Sequence, residues 1–263
     1  MPGRIDVPSA PPPSPTSSMP SSATGTPTPD APRAAPPRAV LVAIFAAREA
    51  VGLLVMAVAL FGSAGRLDWW PAWAALGVMA GWIAATGFII VRVQPGLLAE
   101  RLGVHPGAQR WDVAILSVLA LGQLARYVVA GLDARYGWTG GVPPAAQLAA
   151  LALCAAGYAL VAWATAVNAY FSQIVRLQPE RGHRVVAGGP YRFVRHPAYV
   201  GAIVYELAVA VLLASWPALA IGAGTAALIV VRTALEDRLL VAGLGCFALA
   251  FALVRLRSLH HVP

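Results

Sequence analysis

The sequence contains six apolar stretches, rich in Ala, Leu and Val, in which polar and apolar residues do not alternate. Of all residues, 59% are hydrophobic and 11% are charged, whereas soluble domains carry about 25% charged residues. So few charges cannot cover a water-facing surface, which excludes a soluble domain with a polar shell. Because the stretches also lack the alternation of a membrane β-barrel, the sequence predicts an all-α, polytopic helical membrane protein.

The lengths of the apolar stretches predict about six transmembrane helices, since about 20 helical residues cross the hydrocarbon core. The four longer stretches are residues 40–62, 69–91, 113–132 and 145–167. Two shorter stretches follow at residues 199–214 and 217–231, separated only by Ser215 and Trp216. We expect these two to form a tight helical hairpin that either crosses the bilayer with a tilt or enters it partway.

The formal net charge is +8, and every basic side chain that contributes to it is an arginine. The arginines concentrate in the loop after the second predicted helix and in the loop after the fourth. Because cytoplasmic loops are enriched in basic residues, we expect both loops and both chain termini to lie in the cytoplasm, with the helices in the inner or plasma membrane. Basic loops there contact anionic lipid headgroups, so the predicted partners of this charge are membrane lipids and not nucleic acid.

The loop after the fourth predicted helix is unusually dense in His, Tyr, Gly and Pro residues. Its sequence, residues 168–201, is NAYFSQIVRLQPERGHRVVAGGPYRFVRHPAYVG. Membrane topology requires only a few arginines, so this density needs another explanation. Gly188, Gly189 and Pro190 permit a turn with exposed N–H groups that can meet an anion, and Pro197 suits the first turn of the following helix. The loop is therefore the candidate for chemistry.

The string GPYRFVRHPAYVG, residues 189–201, resembles the signature of the membrane methyltransferases related to isoprenylcysteine carboxyl methyltransferase and the phospholipid N-methyltransferases. In that family, the pattern G-x-Y-x-x-x-R-H-P-x-Y-x-G precedes a helical hairpin, and R-x-x-x-E follows it. Here Arg232 and Glu236 provide the second element. The resemblance covers roughly residues 168–240.

The resemblance implies an enzyme that binds S-adenosylmethionine at the cytoplasmic face of the membrane, under the hairpin. The cofactor-binding residues that it implies are His183, Arg184, Val185, Val186, Tyr191, His196, Pro197, Ala198, Tyr199 and Glu236. Arg176 matches a further cofactor position, where the local residue type differs. Arg232 matches the position associated with substrate and catalysis, so Arg232 and Glu236 are the predicted catalytic residues and no metal ion is expected.

These residue types suit methyl transfer, which mainly requires that donor and acceptor are aligned in a dry site. Glu236 would attract the amino group or sulfonium charge of the donor, and His196 or an N–H near Gly189 would hold its carboxylate. Arg232 would grip an acceptor carboxylate with two hydrogen bonds. A carboxylate acceptor needs no general base, whereas an amine or a thiol must lose a proton.

We expect the acceptor to be a lipophilic molecule that reaches the site from the bilayer. The resemblance favours a prenylcysteine-like carboxyl group, which would become a methyl ester as in protein-S-isoprenylcysteine O-methyltransferases. A lipid amine is one alternative acceptor and would make the protein a lipid N-methyltransferase, and another hydrophobic acid or a thiol also stays open. Two other classes remain as alternatives: a transporter, which would show paired inverted halves, and an inactive relative that acts as a membrane scaffold.

This interpretation divides the chain into four segments. They are a disordered Pro/Ser/Thr-rich tail at residues 1–37, transmembrane helices 1–4 at residues 38–168, a methyltransferase catalytic segment with the hairpin at residues 169–240, and a divergent tail at residues 241–263. The first segment has too few apolar residues to fold. The last segment is apolar. In the family, the corresponding helix carries tyrosines and closes over the cofactor, and this segment lacks them, so we expect the closure of the site to differ here.

Ionisable residues also occur within the predicted helices, where they are costly and normally face the protein interior. Arg48 and Glu49 lie in the first predicted helix and Arg126 lies in the third. We expect these residues to form structural pairs rather than to line an acceptor tunnel. Glu206 in the hairpin is a possible partner for Arg126.

Overall fold

The structure, a computed structural model, describes residues 36–102, 109–175 and 186–243. Within these ranges all regular secondary structure is helical. The seven α-helices are α1 (Arg38–Ala64), α2 (Trp70–Phe88), α3 (Gly96–Leu102), α4 (Arg110–Tyr136), α5 (Pro144–Val167), α6 (Pro197–Leu212) and α7 (Trp216–Gly243). Nearly all of the predicted N-terminal tail and most of the predicted C-terminal tail lie outside the described residues, so the segment boundaries stay predictions.

Five of the described helices are long and apolar enough to cross a membrane, namely α1, α2 with its continuation to Val93, α4, α5 and α7. The sixth apolar helix, α6, has 16 residues. A helix of that length falls slightly short of the bilayer core at 1.5 Å per residue. The prediction of a polytopic helical membrane protein is confirmed, and the six predicted apolar segments correspond to these six helices.

The second helix of the hairpin is longer than the sequence analysis predicted. The predicted apolar stretch ends at residue 231 and the motif with Arg232 and Glu236 at its end, but α7 continues without interruption to Gly243. Residues 232–242 contain no Gly or Pro and are rich in Leu, Ala and Arg, which all favour helix. Arg232 and Glu236 therefore lie within the hairpin helix, one turn apart.

Contacts at the two ends of α4 show how far the hairpin extends. At one end, the backbone N–H of Trp216 donates to Oγ1 of Thr139, just beyond α4, at 3.0 Å. At the other end, Arg232 on α7 binds Asp112 in the first turn of α4. The two α7 residues are roughly 24 Å apart along a continuous helix at 1.5 Å per residue. The hairpin thus runs along the length of α4 and does not stop partway.

The turn between α6 and α7 is tight and closed by local hydrogen bonds. Ala214 adopts a left-handed backbone conformation with φ of 56°, which is rare for a residue with a side chain. Oγ of Ser215 accepts a hydrogen bond from the N–H of Ala218 at 3.2 Å, as helix N-cap serines do. Ser215 therefore both separates the two helices and starts the second.

The chain between α2 and α4 contains two elements that the sequence analysis did not predict. The end of α2 continues as a π-helical turn, Ile89–Val93, and the short helix α3 follows. The Gln94 side chain between them donates to the carbonyl of Ala166 at 2.9 Å. This bond joins the ends of α2 and α5, at the same end of the bundle as Asp112 and Arg232.

Two ionisable groups that the sequence places inside helices are paired across the bundle. Arg126 on α4 is fully buried and forms an ion pair with Glu206 on α6. The Glu206 carboxylate also accepts a hydrogen bond from Thr225 on α7. The pair therefore links three helices, as expected for charges at membrane depth. In α1, Arg48 pairs with its neighbour Glu49 at 2.6 Å and donates to the carbonyl of Arg101.

Candidate functional site

The candidate site lies where the N-terminus of α6, the second half of α7 and the first turn of α4 meet. Pro197 is the first residue of α6, and His196 precedes it as the N-cap residue without a side-chain capping bond. Because proline has no N–H to leave unpaired in the first helical turn, the R-H-P sequence stops the loop and starts the helix at a fixed point. His196 and Tyr199 are thereby held on the first turn, facing α7.

The glycines before this helix make a turn that other residues would not fit. Gly189 has a φ of 56°, and a Cβ atom there would lie 2.8 Å from Cγ2 of Val167 on α5. A 3₁₀ turn, Gly189–Arg192, follows with Pro190 buried. The prediction that the Gly-Gly-Pro sequence allows an unusual backbone turn is thus met at Gly189, where the loop presses against the end of α5.

A chain of hydrogen bonds connects four side chains across α4, α6 and α7. Nε of Arg232 donates to Oδ1 of Asp112 at 2.6 Å, and Nη2 donates to Oδ2 at 3.2 Å. Nη1 of Arg232 donates to the hydroxyl of Tyr199 at 2.8 Å. The Tyr199 hydroxyl in turn donates to Oε2 of Glu236 at 2.5 Å. Both predicted catalytic residues therefore belong to one network.

A second set of contacts joins the start of α6 to the next residue of α7. Nε2 of His196 lies 2.7 Å from Oδ1 of Asp237, and Nη1 of Arg195 lies 3.1 Å from Oδ2 of the same carboxylate. The His196 ring stacks on the ring of Tyr199 with centroids 5.4 Å apart. His196 is therefore oriented by a carboxylate on one side and by an aromatic ring on the other.

Tyr191 lies at the edge of this arrangement. Its hydroxyl accepts a hydrogen bond from Nδ2 of Asn168 at 3.1 Å, and its ring packs beside Val161, Ala164 and Ala198. Burial of the hydroxyl raises the pKa of Tyr191 to about 12. The group therefore stays protonated, and neutral, throughout the physiological pH range.

The structure brings some predicted site residues together and leaves others outside its described ranges. His196, Tyr199, Arg232 and Glu236 meet in the contacts above, and Pro197 and Ala198 are buried beside them. Val186 is partly buried in a non-helical segment. The remaining predicted residues lie outside the described parts of the chain: Arg176, His183, Arg184 and Val185.

Asp112 is the residue of this network that the sequence analysis missed. It is fully buried, and its Oδ2 also accepts the backbone N–H of Val175 at 2.7 Å. The third predicted apolar stretch begins at residue 113, so Asp112 falls just outside it. Its proximity to an apolar stretch, two positions after Arg110, was the only local signal, and its partner lies 120 positions away.

The geometry around Arg232 differs from the predicted two-bond grip on an acceptor. A guanidinium group has five N–H groups, and Asp112 and Tyr199 accept from three of them. The carbonyl of Gln173 accepts a fourth, from Nη2 at 2.8 Å. Among the described residues, four of the five N–H groups thus already have a protein acceptor, and a fork-shaped grip on a carboxylate is not available in this arrangement.

The charge of the network suits a cationic ligand. The charged groups linked by these contacts are the carboxylates of Asp112, Glu236 and Asp237 and the guanidinium groups of Arg195 and Arg232. With three negative and two positive groups, the set carries one net negative charge. Glu236 and Asp237 are partly exposed, so their carboxylates remain reachable, whereas Asp112 is sealed. S-adenosylmethionine, with its sulfonium and amino groups, fits this excess of acid.

Comparison with known families gives a match for part of the chain. Residues 148–242 match the isoprenylcysteine carboxyl methyltransferase (ICMT) family, so the resemblance stated from the sequence motifs is confirmed for this segment. Comparison with curated proteins and with solved structures found no match. The matched segment contains α6, all but the last residue of α7 and most of α5, and together with the apolar helices it supports a membrane methyltransferase.

Proposed function

Starting from a segment, residues 148–242, that matches the ICMT family, we propose that the protein methylates the carboxylate of a lipophilic acceptor with S-adenosylmethionine as donor. The acceptor enters from the bilayer and resembles a prenylated cysteine with a free carboxyl group. The product is a methyl ester. The site faces the cytoplasm, in keeping with the arginine-rich loops at that end.

The observation that carries this proposal is the Arg232–Tyr199–Glu236 chain of hydrogen bonds. It places a cation and a carboxylate on successive turns of α7, joined through one hydroxyl. A methyl-transfer site needs this pairing, because the donor is cationic and the proposed acceptor is anionic. Both groups are oriented before any ligand binds, which lowers the entropic cost of alignment.

The donor would be held by residues at the start of α6 and by the carboxylates of α7. When bound, S-adenosylmethionine supplies an electrophilic methyl group on a positively charged sulfur. Glu236 provides the opposite charge, and Tyr199 fixes the position of that carboxylate by donating to it. Nε2 of His196 binds Asp237, and the other ring nitrogen, Nδ1, would face the donor. His183, Arg184, Val185 and Val186 complete the proposed set on the loop.

Arg232 directs the acceptor, and no residue is required as a general base. An ionised carboxylate already has the lone pair that bonds to carbon. Behind the start of α6, Val161, Ala164 and Ala198 form an apolar cluster with Tyr191. Water that reached the acceptor would solvate its carboxylate and weaken its attack, so the proposed site must be dry.

The test of this proposal uses the purified full-length protein with an isotopically labelled methyl donor. N-acetyl-S-farnesylcysteine is offered as the acid acceptor, and a farnesyl amine and a total lipid extract are offered in parallel. We expect label in a base-labile methyl ester of the acid. Base-stable label in the amine alone would instead support a lipid N-methyltransferase. Absence of both donor binding and label would favour a scaffold or a transporter.

Two variants separate the proposed roles of the catalytic residues. We expect Glu236→Ala to weaken binding of S-adenosylmethionine, measured without acceptor, about tenfold or more, because it removes a charge-assisted contact. Arg232→Ala should leave that affinity within about twofold and lower turnover about a hundredfold or more. Calorimetric titration and initial rates measure the two effects. Unchanged affinity and turnover in both variants would contradict the proposed site.

A further inference from the structure

The Arg232 guanidinium is fixed by the protein before any acceptor arrives. Asp112 binds Nε and Nη2, Gln173 binds Nη2 through its carbonyl, and Tyr199 binds Nη1. Within the described ranges, the N–H group that has no protein acceptor is on Nη1. The Arg232 side chain is 7% exposed, whereas the Asp112 side chain is fully buried.

We propose that Asp112 is a positioning residue that limits Arg232 to a single hydrogen bond with the acceptor carboxylate. This inference rests on the proposed function, because it concerns the same acceptor and the same guanidinium group. It assigns a role to a residue on α4 that lies outside the matched segment of residues 148–242.

The chemical reason is that methyl ester formation uses one of the two carboxylate oxygens. That oxygen forms a bond to the methyl carbon while the carbon–sulfur bond of the sulfonium donor breaks. The electron pair of the broken bond passes to sulfur, and no proton is transferred. A fork of two N–H groups would engage both oxygens with a cation and reduce the nucleophilicity of each. A single N–H group holds one oxygen and leaves the other free to attack.

The negative charge of Asp112, like its hydrogen bonds to Arg232, limits how strongly Arg232 binds the acceptor carboxylate. An unpaired buried guanidinium would attract the acceptor carboxylate strongly in the ground state. Such attraction lowers KM without lowering the barrier, because the negative charge of the acceptor disappears as the ester forms. By neutralising Arg232, Asp112 keeps this ground-state binding moderate. The same carboxylate also accepts the N–H of Val175, which fixes its orientation toward Arg232.

The test compares Asp112→Asn with wild type in the full-length protein in lipid nanodiscs. Asparagine has the same shape but no charge, and its side chain has one acceptor oxygen instead of two. It therefore frees an N–H group of Arg232 that Asp112 engages, and that group can bind the acceptor. We expect N-acetyl-S-farnesylcysteine, in the absence of donor, to bind the variant about tenfold more tightly. Affinity for the methyl ester of the same probe should change less than about twofold. In the methylation assay, KM for the acid should fall while kcat falls about tenfold or more.

The matched control is Asp133→Asn. Asp133 is also a buried acid of α4, but it lies at the opposite end of the helix and accepts from the N–H of Thr139 at 2.8 Å. Its loss should lower the unfolding temperature without tightening acid binding. Asp112→Glu, which keeps the charge, should bind the acid within about twofold of wild type. In an Arg232→Lys background, Asp112→Asn should tighten acid binding less than in the wild-type background, because it removes the neutralising charge but lysine has no fork to release.

Three outcomes decide between the proposals. Acid affinity that is unchanged or weaker in Asp112→Asn, in an active and folded protein, overturns the role of Asp112 alone. Tightening that also occurs in Asp112→Glu, or that is equally large in the Arg232→Lys background, overturns it as well. A wild-type protein that neither binds nor methylates the acid contradicts the proposed function itself.

Discussion

Tyr199 is the residue at which the two charged groups of the site meet. Its hydroxyl accepts from Arg232 and donates to Glu236. Its ring has two further partners, since His196 stacks on it and the Arg232 guanidinium lies 5.2 Å from the ring centroid. One side chain thus combines two charge-assisted hydrogen bonds with a cation–π contact.

Removal of this one hydroxyl separates its hydrogen bonds from its ring contacts. We expect Tyr199→Phe to lower the rate of methyl transfer about tenfold to a hundredfold, because each charge-assisted bond contributes about 1.5–3 kcal/mol. The ring contacts should keep the fold intact. Initial rates with labelled donor measure the first effect, and thermal unfolding in detergent measures the second.

Tyr205→Phe is the control for this variant. Tyr205 lies on the same helix, and its buried hydroxyl bonds to that of Tyr127 at 3.2 Å, away from the site. Its loss should lower stability and leave turnover within about twofold. Equal losses of turnover in the two variants would show that Tyr199 acts only through the fold.

At the scale of helices, two glycines set the distance between α5 and α6. A Cβ atom on Gly157 would lie 2.6 Å from the carbonyl oxygen of Gly201, and one on Gly201 would lie 2.3 Å from that of Gly157. Small residues allow membrane helices to approach closely, since packing rather than the hydrophobic effect holds them together. The start of α6, which carries His196 and Tyr199, is positioned by this contact.

We expect Gly157→Ala to lower the unfolding free energy by about 1–3 kcal/mol, as overpacking does, and to reduce turnover because α6 must move. The matched control is Gly77→Ala in α2, where no atom lies within 4 Å of the added Cβ. That change should be neutral or stabilising by about 0.5–1 kcal/mol. Denaturant unfolding in micelles distinguishes the two, and a stable, active Gly157→Ala would contradict the close-contact argument.

For the whole molecule, the sequence was sufficient to predict the helical membrane class, the six apolar helices and the hairpin. Continuous apolar stretches and the Ser-Trp-Pro break are local signals, so they need no knowledge of contacts. The motifs around His196 and Arg232 likewise named residues that the structure brings together at one end of the bundle. The possible partnership of Arg126 with Glu206 followed from the cost of an isolated charge in the bilayer.

The rest depended on contacts between distant parts of the chain. Asp112 is an unremarkable acid until α7 brings Arg232 to it, so its role could not be predicted from local pattern. The full length of α7 was missed because hydrophobicity falls at residue 232, although helix propensity does not. The backbone carbonyl of Gln173 determines in part which N–H groups of Arg232 have a protein acceptor. No sequence pattern encodes that contact.

The topology of the whole chain gives a prediction that does not involve activity. In a variant with both native cysteines replaced by alanine, we expect Trp138→Cys to react with a membrane-impermeant maleimide on intact cells. Phe193→Cys should react only after lysis, because we propose that the arginine-rich loop that contains it lies in the cytoplasm. Both positions are well exposed, at 56% and 68%. Labelling of Phe193→Cys on intact cells would invert the proposed orientation.

The Arg126–Glu206 pair also has a consequence for how the protein is made. An arginine or an acid at the centre of a lone helix costs about 2.5–3.5 kcal/mol at the translocon. Here the two charges are 80 positions apart, so the ribosome finishes α4 well before α6 emerges. Membrane integration of the short helix α6, which carries Glu206, therefore depends on α4, which is made first and carries Arg126. The insertion of α6 in turn neutralises the charge of α4.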